Sequence, residues 1–153
     1  MSRLILFVCE VNTGRSAMAA AAFAVLCAQR GLRDVVVDSA GLTAREGEPV
    51  PAPVRQALAE AGIPLLRMKS KALTPKLALG AELVVTLACE HRERLVELLP
   101  RLRLKTVMLM AFVGESDHEV PDPFGGGVEA YRACLRQMRP ALEALADELA
   151  AEG

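Results

Sequence analysis

The stretch LILFVCEVNTGRSAMAAAAFAVLCA, residues Leu4 to Ala28, decides the fold. Its first five residues are an unbroken apolar run that ends at a cysteine and a turn, the pattern of a strand covered on both faces. From Arg15 onward the alanine-rich remainder reads as helix. The alternation then recurs: Val35 to Gly41 reads as a second strand, Pro51 to Gly62 as a helix closed by glycine, and Glu82 to Ala88 as a third strand. His91 to Pro100 reads as a helix stopped by proline, Lys105 to Met110 as a fourth strand, and a long final helix starts near Val128. Thr74 before Pro75 marks another short helix start. Strands alternating with helices predict βαβ crossovers, hence an α/β fold with a parallel sheet flanked by helices. In such sheets ligands bind beyond the carboxyl ends of the strands, so the loops after Val8, Ser39, Ala88 and Met110 are expected to share one rim, with Cys9 on it.

The chain has 153 residues, 52% of them apolar, which is enough for one well-buried core; a single domain over residues 1–153 is expected. A net charge of −1 with mixed signs lacks the electrostatic footprint of a nucleic-acid binder. The four cysteines, Cys9, Cys27, Cys89 and Cys134, form no C-x-x-C pair, and two histidines do not complete a zinc set, so no metal is expected. Such cysteines read as reduced and the protein as cytoplasmic. Arg3 ahead of two apolar runs imitates a secretory signal, but Glu10, Asn12 and Arg15 interrupt it. Neither run reaches the roughly 18 to 20 residues of a membrane span, so no membrane partner is expected.

Five residues separate Cys9 from Arg15, which places a thiol and a guanidinium around one turn of backbone where a helix begins. Helix N-terminal amides lack intrahelical partners and carry partial positive charge, so the N–H groups from Glu10 through Val11, Asn12, Thr13 and Gly14 to Arg15 and Ser16 can converge on a phosphate-sized oxyanion. Arg15 adds a planar fork for two oxygens. The same field favours thiolate over thiol and makes Cys9 a candidate nucleophile. Ser16 is placed to donate to that thiolate, and Asn12 is a residue type that tolerates a left-handed loop position. Read singly, the same residues are a core cysteine, a solvated arginine and a helix cap. In VPDPFGGG, Val120 to Gly127, Asp122 is fenced by prolines and glycines. That is either a plain turn before the last helix or a device that holds one carboxyl where it can protonate a leaving group and later deprotonate water.

With these segments in order, the chain resembles the low-molecular-weight protein tyrosine phosphatase family over nearly its whole length. The family's V-C-x-G-N-x-C-R-S loop matches Val8, Cys9, Asn12, Arg15 and Ser16; its S-A-G segment matches Ser39, Ala40 and Gly41; its D-P-aromatic loop matches Asp122, Pro123 and Phe124. The resemblance implies a four-stranded parallel sheet in a flavodoxin-like three-layer sandwich, and a cysteine-dependent protein tyrosine phosphatase that needs no cofactor. It implies hydrolysis of phosphorylated protein substrates through a phosphocysteine, with inorganic phosphate or another oxyanion as product or inhibitor. By position, Cys9 is the nucleophile, Arg15 the phosphate clamp and Asp122 the general acid, while Asn12, Ser16 and Ser39 hold the loop.

Four departures bear on function. Val11 stands at the family's glycine position, which would strain the loop if that residue needed a left-handed backbone. Gly14 replaces a second cysteine that in many members pairs with the nucleophile. Glu10, next to the nucleophile, would oppose an anion if it faced inward; a solvent-facing side chain is expected. Arg45 falls where tyrosine-specific members carry an aromatic pocket wall, leaving Phe124 as the aromatic at the mouth. Thr13 matches the loop threonine of the bacterial phosphoarginine phosphatases of the family. N-T-G-R-S also resembles the N-A-G-R-S loop of some arsenate reductases, for which Cys89 is the internal candidate for a resolving thiol. A catalytically impaired phosphate binder is the non-enzymatic reading, against which the joint presence of Cys9, Arg15 and Asp122 argues. Cys27 and Cys134 are expected to pack, His91 and His118 to lie on the surface or in loops, and Arg67, Lys69, Lys71 and Lys76 to form a solvated basic face.

Overall fold

The computed structural model describes residues 2–115 and 119–152; His118 lies outside them. Strands β1 (Arg3–Cys9), β2 (Val35–Gly41), β3 (Leu83–Thr86) and β4 (Thr106–Met108) form one sheet in the order β2-β1-β3-β4, every pair parallel. Helices α1 (Arg15–Gln29), α2 (Ala52–Glu60), α3 (Pro75–Gly80), α4 (Cys89–Leu98) and α5 (Gly127–Glu152) complete the fold.

β1 explains the layering. Side chains alternate across a strand, and Ile5, Phe7 and Cys9 enter one apolar cluster with α1, α2 and α5, whereas Leu6 and Val8 enter a second with Ala78 of α3 and Leu95 of α4. Both faces are thus covered, which is why the run contains no polar residue. The alanines of α1 serve close packing: Ala19, Ala20 and Ala21 are fully buried, and Phe23 meets Phe7 edge to face at 5.5 Å. Because β1 pairs with β2 on one side and β3 on the other, the loop after Cys9 opens at the point where the strand order reverses, the usual place for a ligand in such sheets.

Several expected boundaries shift, the third strand to Leu83–Thr86 and the helix after it to Cys89–Leu98 among them. The fourth strand is confined to Thr106–Met108, and Leu109–Val113 turns into a 3₁₀ helix that buries Leu109 and Met110 against the core; a short apolar run fits either element. The second helix ends at Glu60 rather than Gly62, which lies in the left-handed turn beyond it. Thr74 caps α3 as expected, its hydroxyl accepting from the Leu77 amide. Among the described residues no helix is long and apolar enough to cross a membrane.

Candidate active site

β1 ends in Cys9, and α1 starts at Arg15 with Gly14 as its N-cap. The five intervening residues curl over the carboxyl edge of the sheet. Cys9 is almost fully buried, and its Sγ lies 2.9 Å from the Ser16 Oγ, the contact expected of a hydroxyl that steadies a thiolate. Asn12 has φ +61°, and among the described residues no other non-glycine residue has a positive φ. Its buried amide nitrogen donates to Ser16 Oγ and Ser39 Oγ, both at 2.9 Å, and its oxygen accepts the Lys71 amide at 2.8 Å. The side-chain bonds that fix Asn12 offset the cost of its left-handed backbone. Val11, at the position where glycine was expected, takes no left-handed angle and carries no such strain; its side chain is half exposed.

Gly41 ends β2 under the loop. A Cβ there would lie 2.8 Å from both the Glu10 carbonyl oxygen and the Val11 carbonyl carbon, and 2.7 Å from Ala44 Cβ, so only glycine lets the loop settle on the strand end. Arg15 is buried and oriented from the distal loop: its Nη1 donates to the Val120 carbonyl at 2.9 Å, and its Nη2 is 3.9 Å from Asp122 Oδ2. The Val120 amide in turn donates to the Leu87 carbonyl just beyond β3. Asp122 is mostly exposed, and its Oδ1 accepts the Phe124 amide at 3.1 Å.

A cleft of about 270 Å³ opens over Cys9. Its floor is the loop from Cys9 to Arg15, and its walls are Asp122, Phe124 and Tyr131. Tyr131, from the first turns of α5, is the wall residue that sequence reasoning missed; it lies seven residues beyond Phe124 with no motif to mark it. Arg45 lines a neighbouring depression of about 360 Å³ that shares Val11 and Thr13 with the cleft. A larger hollow of about 480 Å³ between α2 and α5 contains Arg132, Arg136 and Arg139 but no nucleophile, so volume does not single out the site.

Two expectations need correction. His91 is not a surface residue: it is 3% exposed in the first turns of α4, and its Nδ1 has no hydrogen-bond partner. Burial and the positive charge of Arg15 push its imidazole below the ordinary histidine range, against the pull of Glu10 and Glu90. Arg67 and Lys71 are not a free basic face either. Both bond Asp38 on β2, Lys71 Nζ at 2.8 Å, and Arg67 Nη2 also donates to the Ser39 carbonyl at 2.7 Å. Their spacing in sequence gave no sign of an acidic partner 29 or more positions away.

Burial alone would push the Asp38 carboxyl up, but the bonds from Lys71, Arg67 and the Ser39 amide outweigh it and hold the group below the ordinary carboxylate range. A depressed carboxyl contributes stability that is fully present above its unfolded pKa and is lost as pH falls through the folded one. Asp38→Asn should therefore lower unfolding free energy at pH 7 by about 2 kcal/mol, the scale of hydrogen bonds to a charged group. Denaturant titrations at decreasing pH should show the gap between wild type and variant closing below about pH 4. A gap independent of pH would contradict the ion-pair account.

Burial pushes the Cys27 and Cys134 thiols up, to about 11 and about 12. Cys89 is exposed at the start of α4, with its thiol bonded to Glu93, a contact that raises it as well. None of the three resembles an activated thiol.

The model of the low molecular weight phosphotyrosine protein phosphatase family matches residues 4–153. The chain belongs to that family, and it is accordingly a cysteine-based phosphatase. It is 36% identical over 148 residues to a protein-arginine-phosphatase of Geobacillus stearothermophilus, with 97% of each chain covered. It is 30% identical over 134 residues to the low molecular weight protein-tyrosine-phosphatase PtpB of Staphylococcus haemolyticus, covering 88% of this chain and 91% of that one. Among solved structures, a YwlE mutant from Bacillus subtilis superposes with a TM-score of 0.90 at 34% identity, covering 97% of this chain and 99% of the other.

Proposed function

We propose that this phosphatase removes the phosphoryl group from arginine side chains of phosphorylated proteins, with Cys9 as nucleophile, Arg15 as phosphate clamp and Asp122 as proton donor. The observation that carries the reading is a cleft with the exposed Asp122 carboxyl in its wall and Thr13 in its floor, while Arg45 lies in the adjoining depression. A phosphoarginine presents a planar guanidino group, which a carboxyl and a hydroxyl can hydrogen-bond and an aromatic face can stack on. The arginine phosphatases among the relatives support the same choice.

In the first step Cys9 Sγ attacks phosphorus. The S–P bond forms, the P–N bond breaks, and the leaving nitrogen takes a proton from Asp122. Water then attacks phosphorus, passing a proton to the Asp122 carboxylate as the S–P bond breaks and inorganic phosphate is released. The developing charge on the three equatorial oxygens is met by loop amides and Arg15. Ser16, held by Asn12, steadies the thiolate as ground state and leaving group.

Phosphotyrosine is the second reading, favoured by Phe124 and Tyr131, which offer a phenyl ring two aromatic neighbours. Phosphate release from matched phosphoarginine and phosphotyrosine peptides by one purified preparation separates the two. Phosphoarginine should be preferred in kcat/KM by about tenfold or more, as when a site is built to bond a polar substrate group. The reverse preference would assign the enzyme to phosphotyrosine. Arsenate offered with and without a thiol donor tests a third reading: arsenite formed only when the thiol is present would assign the enzyme to arsenate reduction.

A further inference from the structure

Glu10 is the unusual member of the loop. It follows the nucleophile position directly and lines the cleft in which a phosphoryl group must sit. A carboxylate there should repel a dianion and disfavour a thiolate, yet the residue is accommodated, and the reason lies on α4. Arg94 Nη1 donates to Glu10 Oε1 at 2.6 Å, and Thr43 Oγ1 donates to Oε2 at 2.9 Å, so each carboxylate oxygen has its own donor. The Thr43 amide also donates to the Glu10 carbonyl at 2.9 Å, and the Leu42 amide to the Cys9 carbonyl at 2.9 Å, which stitches the start of the loop to the segment after β2. Burial pushes the Glu10 carboxyl up, but the Thr43 and Arg94 bonds outweigh it, so the group is ionised and paired. Arg94 itself is anchored on α4 beside Glu90, 3.8 Å away, and three residues beyond the buried His91.

We propose that Arg94 is a positioning residue of the phosphate loop: it binds the Glu10 carboxylate so that the loop presents no uncompensated negative charge to the phosphoryl group or to Cys9. The inference rests on the reading of the Cys9 loop as the phosphoryl site. Arg94 does not line the cleft. Its effect passes through Glu10, and that makes it separable from a merely structural arginine.

The test is a charge rescue. Arg94→Met keeps the aliphatic stem and removes the charge, leaving Glu10 with Thr43 alone. An unpaired carboxylate several ångströms from a dianion at surface-like dielectric should lower kcat/KM and weaken inhibition by inorganic phosphate, each by about ten- to a hundredfold. The double variant Arg94→Met, Glu10→Gln removes the offending charge and should recover both quantities to within about threefold of wild type. Arg94→Lys, which keeps a cation but not the fork, should lie between wild type and Arg94→Met. A double variant as impaired as Arg94→Met, or an Arg94→Met enzyme with unchanged activity and phosphate inhibition, would overturn the proposal. Failure of the underlying reading has a different signature: inorganic phosphate would not inhibit the wild-type enzyme at all.

Discussion

Cys9→Ser should reduce turnover by a factor on the order of 10⁴ to 10⁶ while leaving inorganic phosphate bound within a few-fold of its wild-type affinity. The substitution exchanges a polarisable sulfur for a hydroxyl that stays protonated at neutral pH, and the side chain bonded to it, Ser16, is no general base. Ser16 Oγ, 2.9 Å away, already accepts from the Asn12 amide, and a hydroxyl is too weak a base to take the serine proton. The proposed anion site itself is untouched. The loop amides are fixed by the Asn12 side chain and by Gly41 beneath them, and Arg15 is held by the Val120 carbonyl. Hydrolysis near the wild-type rate in this variant would place the nucleophile elsewhere, with the exposed Cys89 the next thiol to examine.

Asp122→Asn should lower kcat by about 10² to 10⁴ for substrates with a basic leaving group, the usual worth of general acid catalysis. Guanidine and phenolate both need a proton as the bond to phosphorus breaks. An aryl phosphate whose leaving group is already a stable anion does not, so its loss should be much smaller. The carboxamide oxygen of the variant can still accept the Phe124 amide, and Arg15 keeps its anchor on Val120, so phosphate affinity should hardly move. Equal losses across leaving groups of very different basicity would make Asp122 a structural residue and require another proton donor.

The fold was legible because its signals are local. An apolar run ending in a cysteine and a turn reads as a doubly covered strand when an alanine-rich helix must pack on one side and further helices on the other, and β1 divides its side chains between the two faces accordingly. The meeting of Cys9, Asn12 and Ser16 beside Arg15 was legible for the same reason: all four lie within eight residues. What the sequence hid was long-range. Arg94 meets Glu10 across 84 positions, Asp38 gathers Arg67 and Lys71 from 29 and 33 positions away, and His91 is buried although its flanking residues are charged. No periodicity encodes such pairings, since they depend on how the strand order brings the segment after β2 and the start of α4 to one rim. Tyr131 escaped because only the three-dimensional course of the Gly125–Gly127 turn carries the first turns of α5 back over the loop.

The central claim is covalent phosphoryl transfer to Cys9, and trapping the intermediate tests it most directly. In Asp122→Asn the water-attack step lacks its base, so a phosphate ester with a very stable leaving group should phosphorylate the enzyme faster than water releases it. Rapid quenching followed by tryptic digestion and mass analysis should then find one phosphoryl group per chain, on the peptide from Leu4 to Arg15 and attached to the Cys9 sulfur. A phosphoryl group mapped to any other residue, or steady turnover with no covalent phosphoryl enzyme at any time point, would contradict the account.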